Sequence, residues 1–276
     1  MVSQKNIVVT GASSGIGKSI MEELLAQEGN RILAACRRAE MIGDYGDRVI
    51  PFSCDLSTKE GMDALFQKAE EVFPQIDLFF CNAGAPYYER FDYEDWDRIQ
   101  KIFDLNTVGH IYAYSKYLHH LNGRKGRLIY TISAMGEMAL PGYALYAATK
   151  FAMKGFQQAV RDEKPDNLEI SCVYPVSTRT NFFNVGGGGR KVEPPFPVQA
   201  PEKVGKAVVK GVNRLKEHIY PCPVYLPSKY LMNIVPPVKK LYVKSQKSKL
   251  RRFVKRLEEE ERGVIEDIKL RHEIRK

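Results

Sequence analysis

Short apolar runs rich in β-branched residues alternate along this chain with longer stretches in which apolar positions recur every three or four residues. Lys5–Thr10, Arg31–Cys36, Val49–Ser53, Ile76–Cys81, Arg127–Ser133 and Leu168–Tyr174 read as buried strands. Between them, Gly15–Glu28 reads as a helix ended by Gly29-Asn30, and Ser57–Phe73 as a helix with Ser57 as its N-cap. Asp92–His120 holds two helical segments, and Ala144–Val160 a further one. This rhythm predicts βαβ units and an α/β fold, a parallel sheet with helices on both faces. Two regions break it. Val176–Pro201 carries Gly186–Gly189 and several prolines and is expected to be a long mobile loop. After Tyr220 the pattern changes again, so the chain divides into a body, residues 1–227, and a helical extension, residues 228–276.

Composition narrows the picture. The chain has 276 residues, 44% hydrophobic and 27% charged, as in soluble globular proteins. There is no run of about 18 apolar residues, so no membrane-spanning helix is expected. The N-terminus lacks a signal-peptide pattern. The five cysteines are scattered and never form C-x-x-C; they are expected to be buried free thiols, which suits a reducing cytoplasm. The histidines lack ligand spacing, His119-His120 reads as a helix end, and no metal site is expected. The net charge of +9 is uneven: residues 229–276 hold fifteen Lys and Arg against seven Asp and Glu. The basic character therefore belongs to the extension.

Candidate chemistry begins after the first strand, at Thr10-Gly11-Ala12-Ser13-Ser14-Gly15-Ile16-Gly17. Glycines permit a tight turn and close backbone approach to a pyrophosphate, and the following helix offers its free N–H groups. The segment alone leaves three readings open: a dinucleotide turn, a nucleoside triphosphate loop (Ala12, Gly17, Lys18 and Ser19 overlap that spacing), or a plain strand–helix turn. Further on, Tyr146 and Lys150 lie four residues apart on one helix face. A neighbouring ammonium favours phenolate and would lower the phenol pKa toward the working pH of a carbonyl or alcohol proton donor. Ser133 lies thirteen residues upstream of Tyr146.

Five pieces in this order, Thr-Gly-x3-Gly-x-Gly, Cys81-Asn82-Ala83-Gly84, Asn106, Ser133 and Tyr146-x3-Lys150, resemble the short-chain dehydrogenase/reductase superfamily in its single-domain form. The resemblance covers residue 5 to about residue 220. It implies a Rossmann-type doubly wound sheet of about seven parallel strands ordered 3-2-1-4-5-6-7, with the cofactor at their carboxyl ends. It also implies that Tyr146 is the general acid in carbonyl reduction and the base in alcohol oxidation. Lys150 would lower the Tyr146 pKa and bind the nicotinamide ribose, Ser133 would hydrogen-bond the substrate oxygen, and Asn106 would hold a water linking Lys150 to solvent. Cofactor contacts are expected from the glycine turn (Gly11, Ser13, Ser14, Gly15, Ile16, Gly17), from Asp55 and Leu56, from Asn82, Ala83 and Gly84, from Tyr146 and Lys150, and from Pro175, Thr178 and Thr180. At the end of the second strand, where an NAD-binding relative places an acid, stand Arg37 and Arg38. A guanidinium pairs with a 2′-phosphate, so NADP(H) is favoured over NAD(H). One departure is Val176, where the family has glycine after proline. It bears on the contacts by Pro175, Thr178 and Thr180.

The leading reading is an NADP(H)-dependent oxidoreductase for a hydrophobic ketone or alcohol, the pocket wall being Met135, Met138, Tyr143, Val176, Phe182 and Phe183. Alternatives are a non-catalytic NADP-binding sensor or scaffold, and a phosphate-loop triphosphatase. The resemblance implies a homodimer or homotetramer through the helices around 107–120 and 144–161, with Tyr112, Tyr114, Tyr117, Phe151 and Phe156 exposed. In the tail, Tyr230, Leu231, Ile234, Val235, Val238, Leu241 and Tyr242 form an apolar stripe broken by Pro236-Pro237, and residues 229–257 hold ten Lys and Arg and no acid. Such a segment lies on an anionic membrane surface or lids the pocket; nucleic acid is not expected, since the basic run lacks interleaved stacking aromatics.

Overall fold

The computed structural model describes residues 2–274. Seven parallel strands form one sheet: β1 (Asn6–Thr10), β2 (Arg31–Cys36), β3 (Val49–Ser53), β4 (Leu78–Cys81), β5 (Gly126–Thr131), β6 (Leu168–Val173) and β9 (His218–Ile219). Their order is β3-β2-β1-β4-β5-β6-β9, the doubly wound arrangement expected. Along β1, Val8 points to one side while Ile7 and Val9 point to the other, and all three are sealed from solvent. The Val8 side packs under α2 (Lys59–Val72), α4 (Gly109–Leu121) and α5 (Ala144–Glu163). The other side packs under α1 (Gly15–Leu25) and α7 (Pro201–Asn213), through Ile20, Leu24, Val204 and Val208. Both faces being covered, β1, β2 and β4 are buried along nearly their whole length, whereas the edge strand β3, expected to be buried, alternates between buried and more exposed positions.

Local signals decide several element ends. Thr58, not Ser57, caps α2: its hydroxyl accepts from Gly61 N–H at 3.0 Å. Ser57 is drawn away to the Asp55 carboxylate, which accepts from its hydroxyl at 2.7 Å. The segment before α4 holds α3 (Trp96–Phe103) and then one π turn, Asp104–Val108, rather than a simple break. Val176–Pro201 is not an unstructured loop. It forms β7 (Ser177–Thr178), α6 (Phe182–Gly186) and β8 (Val198–Gln199), with β7 and β8 paired in parallel. Tyr117 is not exposed; it is fully buried, its hydroxyl reaching the Asp77 carbonyl at 2.9 Å. All five cysteines are buried and free.

The extension folds onto the body. It comprises α8 (Tyr225–Ile234), which begins before residue 228, and α9 (Pro236–Ile274). Phe253 of α9 is buried against Tyr88, ring centroids 5.0 Å apart, and Tyr88 packs at a tilt against Tyr143, centroids 4.8 Å apart. No helix among the described residues is long and apolar enough to cross a membrane.

Candidate active site

The carboxyl ends of β1, β4 and β5 are stitched together by small polar side chains. The Thr10 hydroxyl donates to Phe80 O at 2.8 Å and accepts from the N–H groups of Asn82 and Ala83 at 2.9 and 3.0 Å. The Asn82 amide donates to Thr10 O at 3.1 Å and accepts from Thr131 Oγ1 at 3.1 Å. These bonds fix the turns after the strands, and a cavity of about 540 Å³ opens beside them. That volume is ordinary for a small-molecule site.

Gly17 explains the shape of the glycine turn after β1. A Cβ there would lie 2.2 Å from Gly11 O and 2.6 Å from the Asn82 amide, so only glycine lets α1 start this close to β4. Gly15 sits at φ +58°, with the Thr180 methyl 3.1 Å from where a Cβ would stand, so Thr180 covers the turn from the opposite side. Every residue expected to touch a dinucleotide lines this one cavity, from Gly11 to Thr180, with Arg37 and Arg38 exposed at its far end. The cradle fits a dinucleotide: glycine backbone for the pyrophosphate, guanidinium groups at one end, Tyr146 and Lys150 at the other. Lys18, which a triphosphate loop would aim at phosphates, instead pairs with Glu22 at 3.8 Å and does not line the cavity. Asp55 accepts from both the hydroxyl and the N–H of Ser57, and these bonds, with Arg37 nearby, hold its carboxyl below the usual range.

Ser133, Tyr146 and Lys150 share the cavity wall, while Asn106 lies wholly buried behind it. Burial pushes the Tyr146 phenol up to about 12, and the Ser133 hydroxyl pulls the other way. This departs from the expectation that Lys150 lowers that pKa. The ammonium stands 5.7 Å from the Tyr146 ring centroid and donates to Thr131 O at 3.0 Å. Burial lowers Lys150 itself to about 8. The Asn106 amide donates to Ala85 O at 2.8 Å and to Thr149 Oγ1 at 3.2 Å, and accepts from Ala85 N–H at 2.9 Å. Through these bonds the side chain buttresses the turn after β4. The π turn that carries it is the kind of irregularity that recurs at functional sites.

Ser133 adopts φ +93°, ψ 150°, a conformation nearly reserved for glycine. Its hydroxyl accepts from Met135 N–H at 3.2 Å.

The wall residues Met135, Met138, Tyr143, Val176, Phe182 and Phe183 all line the cavity, as expected. Leu231, Met232, Val238 and Tyr242 of the extension, with Phe196 and Tyr225, line it as well. Leu231 and Val238 thus act as pocket residues, whereas Tyr230 and Ile234 point outward. A residue not foreseen is Glu137. Its carboxylate is almost sealed and accepts from Lys154 at 3.1 Å, Lys229 at 2.8 Å and the Tyr225 hydroxyl at 3.1 Å. Burial acts to raise its pKa, but the two lysines outweigh it and the net shift is downward. Glu137 therefore ties the Ser133 loop, α5 and α8 to one charge. Only its place four residues after Ser133 could have drawn notice; both lysine partners are distant in sequence.

The short chain dehydrogenase family model matches residues 5–186. The chain belongs to the short chain dehydrogenase family. It is an NAD(P)-dependent oxidoreductase, and its cofactor is a nicotinamide dinucleotide. Similar proteins include the 3-dehydrosphinganine reductase of Danio rerio, 28% identical over 223 residues, 74% of this chain and 67% of that protein. The 3-ketodihydrosphingosine reductase of Dictyostelium discoideum is 27% identical over 261 residues, 80% of this chain and 76% of that one. Among solved structures, a short chain dehydrogenase from Burkholderia cenocepacia in complex with NADP has a TM-score of 0.74 at 22% identity, covering 88% of this chain and 99% of that one. A relative from Burkholderia phymatum in complex with NAD has a TM-score of 0.73 at 18% identity, covering 85% and 95%. At these identities the structures support the fold.

Two outcomes follow from the site's energetics. Below pH 8 Lys150 is charged in both folded and unfolded chains, and its burial costs stability; between about 8 and the ordinary lysine value of 10.5 the unfolded chain holds more protons, so that cost fades as pH rises. Lys150→Met should therefore stabilise the protein at neutral pH by on the order of 3 kcal/mol, with the gain shrinking above pH 8; denaturant unfolding at several pH values measures it, and a pH-independent difference would contradict it. Ser133→Gly should relieve backbone strain and raise stability by up to about 1 kcal/mol, yet lower turnover by roughly a hundredfold. Thermal unfolding beside initial rates checks both, and a clear loss of stability would assign the serine to packing.

Proposed function

We propose that this oxidoreductase uses NADP(H) to reduce a hydrophobic ketone, and runs the matching alcohol oxidation in reverse. One observation carries the reading: Tyr146 and Ser133 line the same cavity as the glycine turn and the apolar wall. The bound dinucleotide supplies the hydride. Tyr146, with its phenol raised to about 12, is a protonated donor at neutral pH and gives its proton to the carbonyl oxygen as charge develops there. Ser133 donates to the same oxygen. Lys150 places a buried cation behind the ring and within reach of the turn at Gly84, where a Cβ would lie 3.7 Å from Nζ. Arg37 and Arg38, with no carboxylate at the end of β2, supply the pairing that a 2′-phosphate seeks. An intact set of donor, cation and serine favours turnover over a sensor role. The apolar wall and the relatives named for 3-dehydrosphinganine and 3-ketodihydrosphingosine support a lipid-like ketone, and 3-ketodihydrosphingosine is the first substrate to test. Two copies would pair through α4 and α5, where Phe151 is exposed and Tyr112, Tyr114 and Phe156 are half-buried. A reducing cytoplasm suits the five buried thiols.

The cofactor choice is tested by binding. NADPH should bind more tightly than NADH by roughly 10- to 150-fold, the worth of a charged hydrogen bond, and Arg37→Ala with Arg38→Ala should erase the difference; equal affinities in the wild type would refute the choice. Tyr146→Phe should keep NADPH binding and lose turnover. Alcohol oxidation needs the phenolate, so its rate should climb as pH rises toward the phenol's pKa while carbonyl reduction does not; a reduction rate that climbs with pH would remove Tyr146 from the donor's role.

A further inference from the structure

Among the apolar residues that line the cavity, five also face solvent: Phe196 is 73% exposed, Val185 55%, Val224 54%, Leu231 51% and Val238 37%. They form the rim of the mouth, and the Tyr242 hydroxyl, donating to Phe196 O at 2.7 Å, fixes the loop strand of that rim to α9. Just outside the rim stand Tyr230, Ile234 at 78% exposure and Leu241 at 70%. Isolated exposed apolar residues need no explanation, but a cluster around a ligand mouth marks a contact surface.

Charge decides what the contact is. Neither α8 nor α9 carries an acid before Glu258. Lys229 is taken by Glu137, and Lys249 and Arg252 by Glu193. Lys239, Lys240, Lys244, Lys247 and Arg251 are exposed and have no acidic partner among the described residues. At 3.6 residues per turn, Lys240, Lys244, Lys247 and Arg251 fall in one row on α9, away from Tyr242, Gln246 and Phe253, the residues through which the helix packs on the body. Leu241 lies beside that row. An apolar cluster continuous with a row of unneutralised cations matches the acyl boundary and anionic headgroups of a bilayer. A second copy of the chain would bring the same positive row against this one, which charge opposes.

We infer that the α8–α9 face is a docking surface for an anionic lipid bilayer, seated with the cavity mouth against the lipid. This rests on the reading of the cavity as a site for a lipid-like ketone, and it supplies the route: such a ketone would pass from the bilayer between Phe196, Leu231 and Val238 to Tyr146 without crossing water. Ile234 and Leu241 insert, and the lysine row holds the headgroups.

The test is co-sedimentation with vesicles of phosphatidylcholine alone and of phosphatidylcholine with phosphatidylserine. The full chain should bind the anionic vesicles at low salt, and high salt should weaken binding by roughly tenfold or more, as screening shortens the reach of the lysine row. The exposed double variant Ile234→Glu, Leu241→Glu and the triple variant Lys240→Glu, Lys244→Glu, Lys247→Glu should each lose it, circular dichroism confirming their fold. Tyr146→Phe should sediment like wild type, so a failure of the catalytic reading would leave the docking result standing. For the orientation, Phe196→Trp in a Trp96→Phe background should be quenched by brominated lipid in the anionic vesicles. No binding to anionic vesicles at low salt, binding that the variants leave intact, or an unquenched Trp at position 196 would each overturn the inference. So would a vesicle-indifferent chain whose mass in light scattering falls in the double variant, which would assign the face to a protein contact.

Discussion

Holding Lys150 out of water is the constraint on which the rest of this site depends. An ammonium sealed among apolar groups loses its hydration, and a depressed pKa is the visible result. The charge is kept in place by the Thr131 carbonyl at the end of β5 and by its anchorage on α5, one turn from Tyr146. The sheet must therefore present β5 beside β4, so that the turn at Gly84 faces the ammonium. The Thr10, Asn82 and Thr131 bonds fix that alignment. The same burial that depresses the lysine raises the phenol, which keeps Tyr146 protonated at neutral pH. Ser133, forced into a glycine-like conformation, shows that stability is given up locally at this point.

Much of this was legible in the chain because the signals are local. Strands buried on both faces announce themselves as unbroken apolar runs, and the glycine turn, Asn82-Ala83-Gly84 and Tyr146-x3-Lys150 each occupy a few consecutive residues. Knowing their order along the chain is enough to bring them together, since a doubly wound sheet gathers strand ends at one edge. What escaped the sequence depends on partners far along the chain. Thr58 caps α2 because Asp55 competes for Ser57. The span after Val176 is ordered by pairing between Ser177–Thr178 and Val198–Gln199, too short a bridge to leave a pattern. The direction of the Tyr146 shift depends on total burial, which four-residue spacing does not reveal. The amide of Asn106 is spoken for by a backbone segment that only the fold brings beside it.

Glu137 links the two halves of the molecule. It pairs with both Lys154 on α5 and Lys229 on α8 through one buried carboxylate. The extension is thereby part of the site: it walls the cavity with Leu231, Val238 and Tyr242 and anchors through Phe253 on the Tyr88–Tyr143 pair. Val176 also lines that cavity, at a position where the resemblance implies glycine.

The account stands on hydride transfer to a ketone held in this cavity, and label transfer measures it most directly. With NADPH deuterated at the transferring position and 3-ketodihydrosphingosine presented in mixed micelles, mass spectrometry of the product should find a single deuterium on the carbon that was the carbonyl. Product alcohol lacking the label, or cofactor that binds tightly while that ketone and simpler long-chain ketones all remain unreduced, would contradict it.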